Sequence, residues 1–415
     1  MKTNQPSSTR RSLLGATAAA LSAGAIALPA FSQTRSEVSK GEHNRSASNP
    51  GPINKAIAAI NPNSNFPPIT DRGDILPIWY SFDLTHRRIQ DGGWTRQVTS
   101  RELPSSQDIA GVTMRLTAGS YRELHWHTAN EWAYMLYGTA RVTLFNPDGT
   151  IFIGDVGEGD LWFFPAGFPH SIQGLGPDGC EFLLVFDQGN FSEYNTFLIS
   201  GWLAHTPSEV LSRNLNIPEA ELSNLPEHGL YIFPGTIPGS LEDDRRAVGG
   251  DAVASKIDYT FRMKSMKPTA DRPGGTARIV DSTIFPAATT IAAGLFVMKP
   301  GALRELHWHP NASEWQYYIS GSARMTVFVS AGEAHTMDYK ANDVGYVPQV
   351  AGHYIESTGT DDLVFLSLFK SSHFSEVSLN QWIRRLPLQI TQQHLGLDPS
   401  QIARIPDRGN NIFRP

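Results

Sequence analysis

Past residue 71 the chain is written in short runs rich in Val, Ile, Phe and Tyr, each closed by Gly, Pro or Asp. Ala140–Phe145, Leu161–Phe164, Phe182–Phe186, Arg324–Val329 and Leu363–Phe369 are clear cases. Runs of this length and spacing predict antiparallel strands folded into sandwiches or barrels, so the expected class is dominated by β structure. Two stretches change the pattern to helical: Pro207–Leu215 with Pro218–Leu222, and Leu388–Leu395 with Asp398–Arg404. Gly396 is placed to close one of these helices, and Asp398 beside Pro399 to open the next.

The strand pattern occurs twice. The hexapeptide Arg-Glu-Leu-His-Trp-His stands at Arg122–His127 and again, 182 residues later, at Arg304–His309. Gly93, Pro104 and Ile109 find Gly275, Pro286 and Ile291 at the same offset, and Gly138-Thr-Ala-Arg matches Gly321-Ser-Ala-Arg one residue further on. Trp202 matches Trp382 at an offset of 180, so the second copy is three residues shorter just before that point. A period of this size means a duplicated domain, not a solenoid of short repeats. The expected boundaries are 71–233 and 256–415, each long enough to bury a core, joined by a linker at 234–255. That linker combines Pro and Gly with the charge cluster Glu242–Arg246.

Residues 1–30 place Arg10-Arg11 before a long run of Ala, Leu and Gly and end on Leu28-Pro29-Ala30, the form of a twin-arginine export signal. Residues 31–70, rich in Ser, Asn and Pro, read as a flexible leader. No other segment is long and apolar enough to cross a bilayer, so no membrane contact is expected after signal removal. The formal charge of −6 becomes −9 without residues 1–30, which carry Lys2, Arg10 and Arg11 and no acid. An acidic chain without a basic stripe excludes nucleic acid as a partner. Cys180 is the single cysteine, so no intrachain disulfide can form.

In each copy the repeated hexapeptide supplies two histidines, His125 with His127 and His307 with His309, followed by a Glu (Glu131, Glu314) and a later His (His170, His353). Residues i and i+2 of a strand point to one face, so each His pair can aim into a barrel. Three imidazoles and one carboxylate with open positions suit manganese or iron better than a closed structural zinc site.

This constellation resembles the cupin superfamily. Its first motif is met by Gly119, His125, His127, Glu131 and Gly138, and again by Gly301, His307, His309, Glu314 and Gly321. Its second is met by Gly159, Pro165, Gly167 and His170, and more loosely by Pro348 and His353, where Asn342 and Val350 replace glycines. The implied fold is two tandem cupin barrels (double-stranded β-helices, or jelly rolls), each with a short C-terminal helical segment. Bicupin storage proteins typically lose ligands, and all eight are present here. Within bicupins the chain is similar to oxalate decarboxylases over nearly all of residues 71–385. The segments HWHxxxEWAYMLYGTARVTLF and HWHPNASEWQYYISGSARMTVF carry that likeness. The resemblance implies two manganese ions per chain, dioxygen as co-catalyst, oxalate or a similar small dicarboxylate as substrate, formate and carbon dioxide as products, and homo-oligomers (trimers or hexamers).

The same resemblance assigns roles. Arg122, repeated as Arg304, would polarise a substrate carboxylate; the competing reading is an ion pair with Glu123 or Glu305 next to it. After carbon dioxide leaves, the remaining one-carbon fragment must be protonated on carbon while water is kept out. In the family a Ser-Glu-Asn-Ser-Thr lid carries the proton donor. The corresponding run is Ser192-Glu193-Tyr194-Asn195-Thr196, which makes Glu193 the expected donor, with Ser192 and Asn195 beside it. In the second copy Ser375-Glu376 stand at the matching place, but on the shorter loop, and Ser367 replaces a family Glu. The N-terminal site is therefore expected to be catalytic and the C-terminal one mainly structural. Alternatives are an oxalate oxidase releasing peroxide, an exported manganese-holding protein, and, less suited to a small dianion, an aromatic dioxygenase. A twin-arginine route exports folded protein, which would let manganese, weakest in the usual affinity order, be captured before export.

Overall fold

The structure is a computed structural model that describes residues 51–409 and 411–414. The export signal at 1–30 and the first part of the leader lie outside the described residues.

Each copy of the repeat closes into a β barrel. In the first, one strand of 15 residues, Glu131–Phe145, runs through both faces. Its first half pairs with Cys180–Phe186 and Leu161–Phe164, and its second half with Ile151–Gly157 and His170–Gly174. The strand turns between the two faces at Gly138, whose φ is 72° and where a Cβ would lie 2.0 Å from the carbonyl oxygen of Gly179. Only glycine fits there. The second barrel makes the same turn at Gly321 (φ 83°), which divides the path into Glu314–Ser320 and Ser322–Val329. The strands named from the hydrophobic runs all form, Leu161–Phe164 and Leu363–Phe369 with the boundaries read from the sequence.

The barrels exchange strands. Trp79–Ser81, at the start of the first copy, pairs antiparallel with Asp343–Val347 of the second barrel. Thr260–Phe261, at the start of the second copy, pairs with Leu161–Phe164 of the first. Each exchange covers a strand that would otherwise leave unpaired backbone groups. The apolar core is continuous as a result: one cluster holds Val112, Met114, Leu183 and Phe186 together with Phe82, Phe285, Trp315 and Tyr317. A Cβ on Gly111 would meet the Trp315 ring at 2.5 Å, so the copies touch at close-packed distance.

Two sequence readings change here. Part of the stretch assigned to a flexible leader is docked: it forms the helix Lys55–Ile60, and Asn61 and Asn63 are buried against Asp338 of the second barrel. Composition suggested solvated chain, but Asn63 donates to the Asp338 carboxylate and Asn61 exchanges hydrogen bonds with the Asp338 backbone, far along the sequence. The charge cluster read as linker is the helix Leu241–Ala247, capped by Ser240 and held to the first barrel. Arg141 bridges Asp155 and Asp244, and Arg245 donates to the carbonyl of Ile153. The helical ends follow expectation: Ser208–Leu215, and Leu388–Leu395 closed by Gly396 in the left-handed region, then Pro399–Ala403 opened by an Asp398–Gln401 capping box. Among the described residues no helix is long and apolar enough to cross a membrane. Cys180 is a core residue; burial pushes its thiol up to about 12.

Candidate metal centres

The strand Tyr121–Trp126 carries His125 near its end, and His127 follows it directly. Glu131 opens the long strand and His170 opens the strand His170–Gly174, which pairs with the first so that His125 faces His170. The four ligand atoms lie within 4.8 Å of one another, and all four residues are buried. His307, His309, Glu314 and His353 repeat the arrangement in the second barrel. All eight predicted ligands are therefore brought together as two sets of four.

Every ring is aimed from behind. The Nδ1 atoms of His125, His127 and His170 meet the carbonyls of Glu123, Ala129 and Phe168 at 2.6–2.7 Å. A carbonyl only accepts, so each Nδ1 bears the hydrogen and each Nε2 presents its lone pair to the centre. In the second barrel the partners are the carbonyls of Glu305, Ser375 and Ala351. The Nε2 atoms of His170, His309 and His353 and the Oε2 of Glu314 are buried without a hydrogen-bond partner. Converging lone pairs with nothing to accept are what a bound cation satisfies, so the donor set fits a divalent metal. Burial lowers the pKa of His125 and His170 well below the ordinary value, with Arg122 and the neighbouring imidazoles adding to it; burial and Arg304 do the same for His307. These rings are thus kept in the neutral form that binds metal.

The glutamate ligands are oriented differently in the two barrels. Glu131 accepts through Oε1 from the indole N–H of Trp162, at 3.1 Å. Glu314 accepts through Oε1 from the Gln316 amide at 2.9 Å and the Ser367 hydroxyl at 2.5 Å. Gln316 is fixed in turn by Tyr318, whose hydroxyl donates to its Oε1. In the cross-strand pairs Ala133 faces Trp162 and Gln316 faces Gly345, so the donor has moved to the opposite strand. Ser367, read from the sequence as a lost functional Glu, supports a ligand.

Above the first centre stands Arg122. A register shift between Arg122 and His125 re-aims the strand, so two residues three apart both point inward. Arg122 is fully buried and is not consumed by its neighbour Glu123. That carboxylate accepts from Ser200 (N–H and hydroxyl) and from the N–H of Tyr231, and clamps the covering segments to the strand. Arg122 instead reaches the lid: its Nη2 lies 3.3 Å from Glu193 and 3.1 Å from the Thr196 hydroxyl. Tyr231 donates from its hydroxyl to the same Glu193 oxygen at 2.5 Å, while its ring lies 4.3 Å from the Arg122 guanidinium. Burial raises the Tyr231 phenol well above its ordinary value, with Glu193 adding to it, so it remains a donor. Glu193 is buried although it sits on a 3-10 turn, Glu193–Asn195.

Of the lid residues singled out by sequence, Glu193 reaches Arg122. Ser192 serves the turn itself, accepting from the N–H of Tyr194, and the lid hydroxyl that reaches Arg122 is that of Thr196. Thr196, Tyr231, Trp162 and Gln316 were not picked out by the sequence reading. The preserved Thr of the lid was the one signal that pointed to any of them. In the second barrel Arg304 pairs with Glu376 and also lies 3.6 Å from Glu305, and a Glu376 oxygen is 3.9 Å from His307.

The cupin family profile matches residues 81–222 and 261–403. The chain is 53% identical over 337 residues to the oxalate decarboxylase OxdC of Bacillus subtilis, covering 81% of this chain and 86% of that protein. It is 38% identical over 360 residues to a probable oxalate decarboxylase of Arthroderma benhamiae, covering 86% of this chain and 88% of that one. A structure of the Bacillus subtilis oxalate decarboxylase at pH 4.6 superposes with a TM-score of 0.85 at 50% identity, covering 88% of this chain and 94% of that one. A second structure of that enzyme, studied for its Mn(II) centres, matches with the same TM-score at 49% identity, covering 88% and 96%. Duplicated barrels, two sets of three histidines and one glutamate, and identity over most of both chains agree: this chain belongs to the oxalate decarboxylase family of the cupins.

Proposed function

We propose that the chain is a manganese-dependent oxalate decarboxylase whose N-terminal centre does the chemistry. The observation that carries the assignment of the site is Glu193, a buried lid carboxyl held against Arg122, which shares a strand with the ligand His125. The overall reaction takes an oxalate dianion and one proton to carbon dioxide and formate. Manganese, held by His125, His127, Glu131 and His170, would supply Lewis-acid polarisation and one-electron exchange.

The chain's own groups do the rest. Arg122 offers a planar fork of N–H donors to a carboxylate, fixes its orientation, and draws charge away from the bond that breaks. Glu193 delivers the proton that ends on the formate carbon. Arg122 and Tyr231 both engage its Oε2, which leaves Oε1 to carry that proton. Phe186 and Phe191 stack on each other beside His127, giving the pocket a dry wall that keeps water from the fragment awaiting protonation. A lid that failed to deliver the proton would leave an oxidase. Purified protein assayed for bound manganese, formate and hydrogen peroxide tests the reading. Formate as the main product of oxalate, in proportion to manganese, is expected, and peroxide as the main product would overturn it.

We further propose that dioxygen is a co-catalyst, which an anaerobic assay tests by loss of formate. Export by the twin-arginine route rests on Arg10-Arg11 and the apolar run behind them, and a precursor carrying both Arg10→Lys and Arg11→Lys should stay in the cytoplasm. Assembly into trimers or hexamers is supported by Trp202 and Trp382, matching positions in the two copies that remain 64% and 52% exposed. Sedimentation measures it.

A further inference from the structure

The lid has an outer face as well as an inner one. Outside it lies a cavity of about 380 Å³ whose lining includes Arg88, Arg96, Arg101 and Glu102, with Glu193 and Tyr194. The acids there are largely committed: Glu193 is engaged by Arg122 from inside, and Glu102 bonds the Thr99 backbone and hydroxyl. Arg96 is paired with Asp83 at 2.8 Å. Arg88 is held in another way. Its guanidinium carbon lies 3.5 Å from the ring centroid of Tyr231 and 4.8 Å from that of Tyr194. Tyr231 belongs to the fixed frame and bonds Glu193, whereas Tyr194 is the next residue of the lid and is 62% exposed. One cation therefore touches both the lid segment and the Tyr231 side chain that bonds Glu193.

We propose that Arg88 is a gate residue for oxalate: it receives the dianion in this outer cavity, and its stacking on Tyr194 and Tyr231 holds the lid shut with Glu193 over the metal site. The inference rests on the functional reading above. A guanidinium stacks through its face and binds carboxylates through its edge, so both contacts are open to Arg88. A carboxylate on that edge neutralises the charge on which attraction to the rings depends, so arriving substrate loosens the latch it meets. Tyr194 stands where the family lid has Asn, which gives this chain a ring contact on the lid itself.

Steady-state kinetics on Tyr194→Leu, Tyr194→Phe and Arg88→Met, with manganese content measured for each, test the proposal. Tyr194→Leu should raise the peroxide-to-formate ratio about two- to fivefold, the range a single exposed cation–π contact allows. Tyr194→Phe keeps the ring and should restore the parental ratio. Arg88→Met should raise that ratio too, and should increase the KM for oxalate about fivefold or more at low ionic strength. The dependence of kcat/KM on salt should weaken at the same time, because a charge that attracts the dianion is gone. An unchanged KM and salt dependence in Arg88→Met would overturn the receiving role. An unchanged product ratio in both Tyr194→Leu and Arg88→Met, or a Phe variant as altered as the Leu one, would overturn the latch. Failure of the functional reading would be visible separately, as parental protein with full manganese that makes no formate.

Discussion

The two centres gather the same four ligand types, three histidines and a glutamate, yet their lids are tied down differently. In the first barrel His127 turns its Nδ1 hydrogen to the carbonyl of Ala129, on its own loop. In the second, His309 turns it to the carbonyl of Ser375, the residue next to the lid glutamate. No hydrogen bond among the described residues ties the N-terminal lid, 192–196, to a ligand side chain. The C-terminal lid cannot rise without breaking the hydrogen bond that orients His309, and its glutamate sits close to His307. Holding a metal and moving a proton donor over it are thus separable demands. On the function proposed above, the first centre meets both, and the second is built mainly for the first. Orientation of the glutamate ligand follows the same division: one indole serves Glu131, while two donors lock Glu314.

The largest test of this contrast removes a ligand. His125→Ala should abolish formate production and lower bound manganese from two ions per chain to one. His307→Ala should lose one ion as well, but keep turnover per remaining N-terminal metal while lowering Tm by several degrees, because metal binding to the folded state is folding free energy. A dead His307→Ala protein with a full N-terminal site would break the comparison. Next in size is the proton donor. Glu193→Gln should cut formate by about 10²–10⁴-fold, the span of general acid catalysis, with peroxide rising as a share of product. Glu376→Gln should change little, and equal losses in both variants would mean both lids work.

Arg122→Lys should lower kcat by about 10²-fold with little change in Tm, since an ammonium cannot replace a two-point grip on developing charge. The matching Arg304→Lys change should shift stability more than rate. The smallest effects sharpen the ligand comparison. Trp162→Phe removes the indole donor to Glu131 Oε1 and should weaken N-terminal metal affinity about 10–100-fold. Ser367→Ala should cost less at the C-terminal site, because Gln316 still donates to the same oxygen. Manganese titration followed by electron paramagnetic resonance reads both.

What the sequence determined by itself was whatever local spacing and repetition encode. Alternation along a strand puts His125 and His127 on one face whatever surrounds them, and the second copy confirms the period. The helix ends at Gly396 and Asp398 were legible for the same reason, being set by backbone preferences of single residues. Ligands and barrel strands could be read this way, whereas the Glu193 lid was legible only through the family resemblance. Tertiary structure decided the partners. Glu123 is covalently near Arg122, yet it bonds Ser200 and Tyr231, and Arg122 is left for Glu193. Trp79–Ser81 completes the second barrel rather than the first, and Asn61 and Asn63 dock on Asp338. These contacts join groups from 71 to 277 positions apart in the sequence. They arise because a closing barrel must cover its edges and satisfy each buried polar atom with whatever donor the closure brings within reach, and no local pattern records which donor that is.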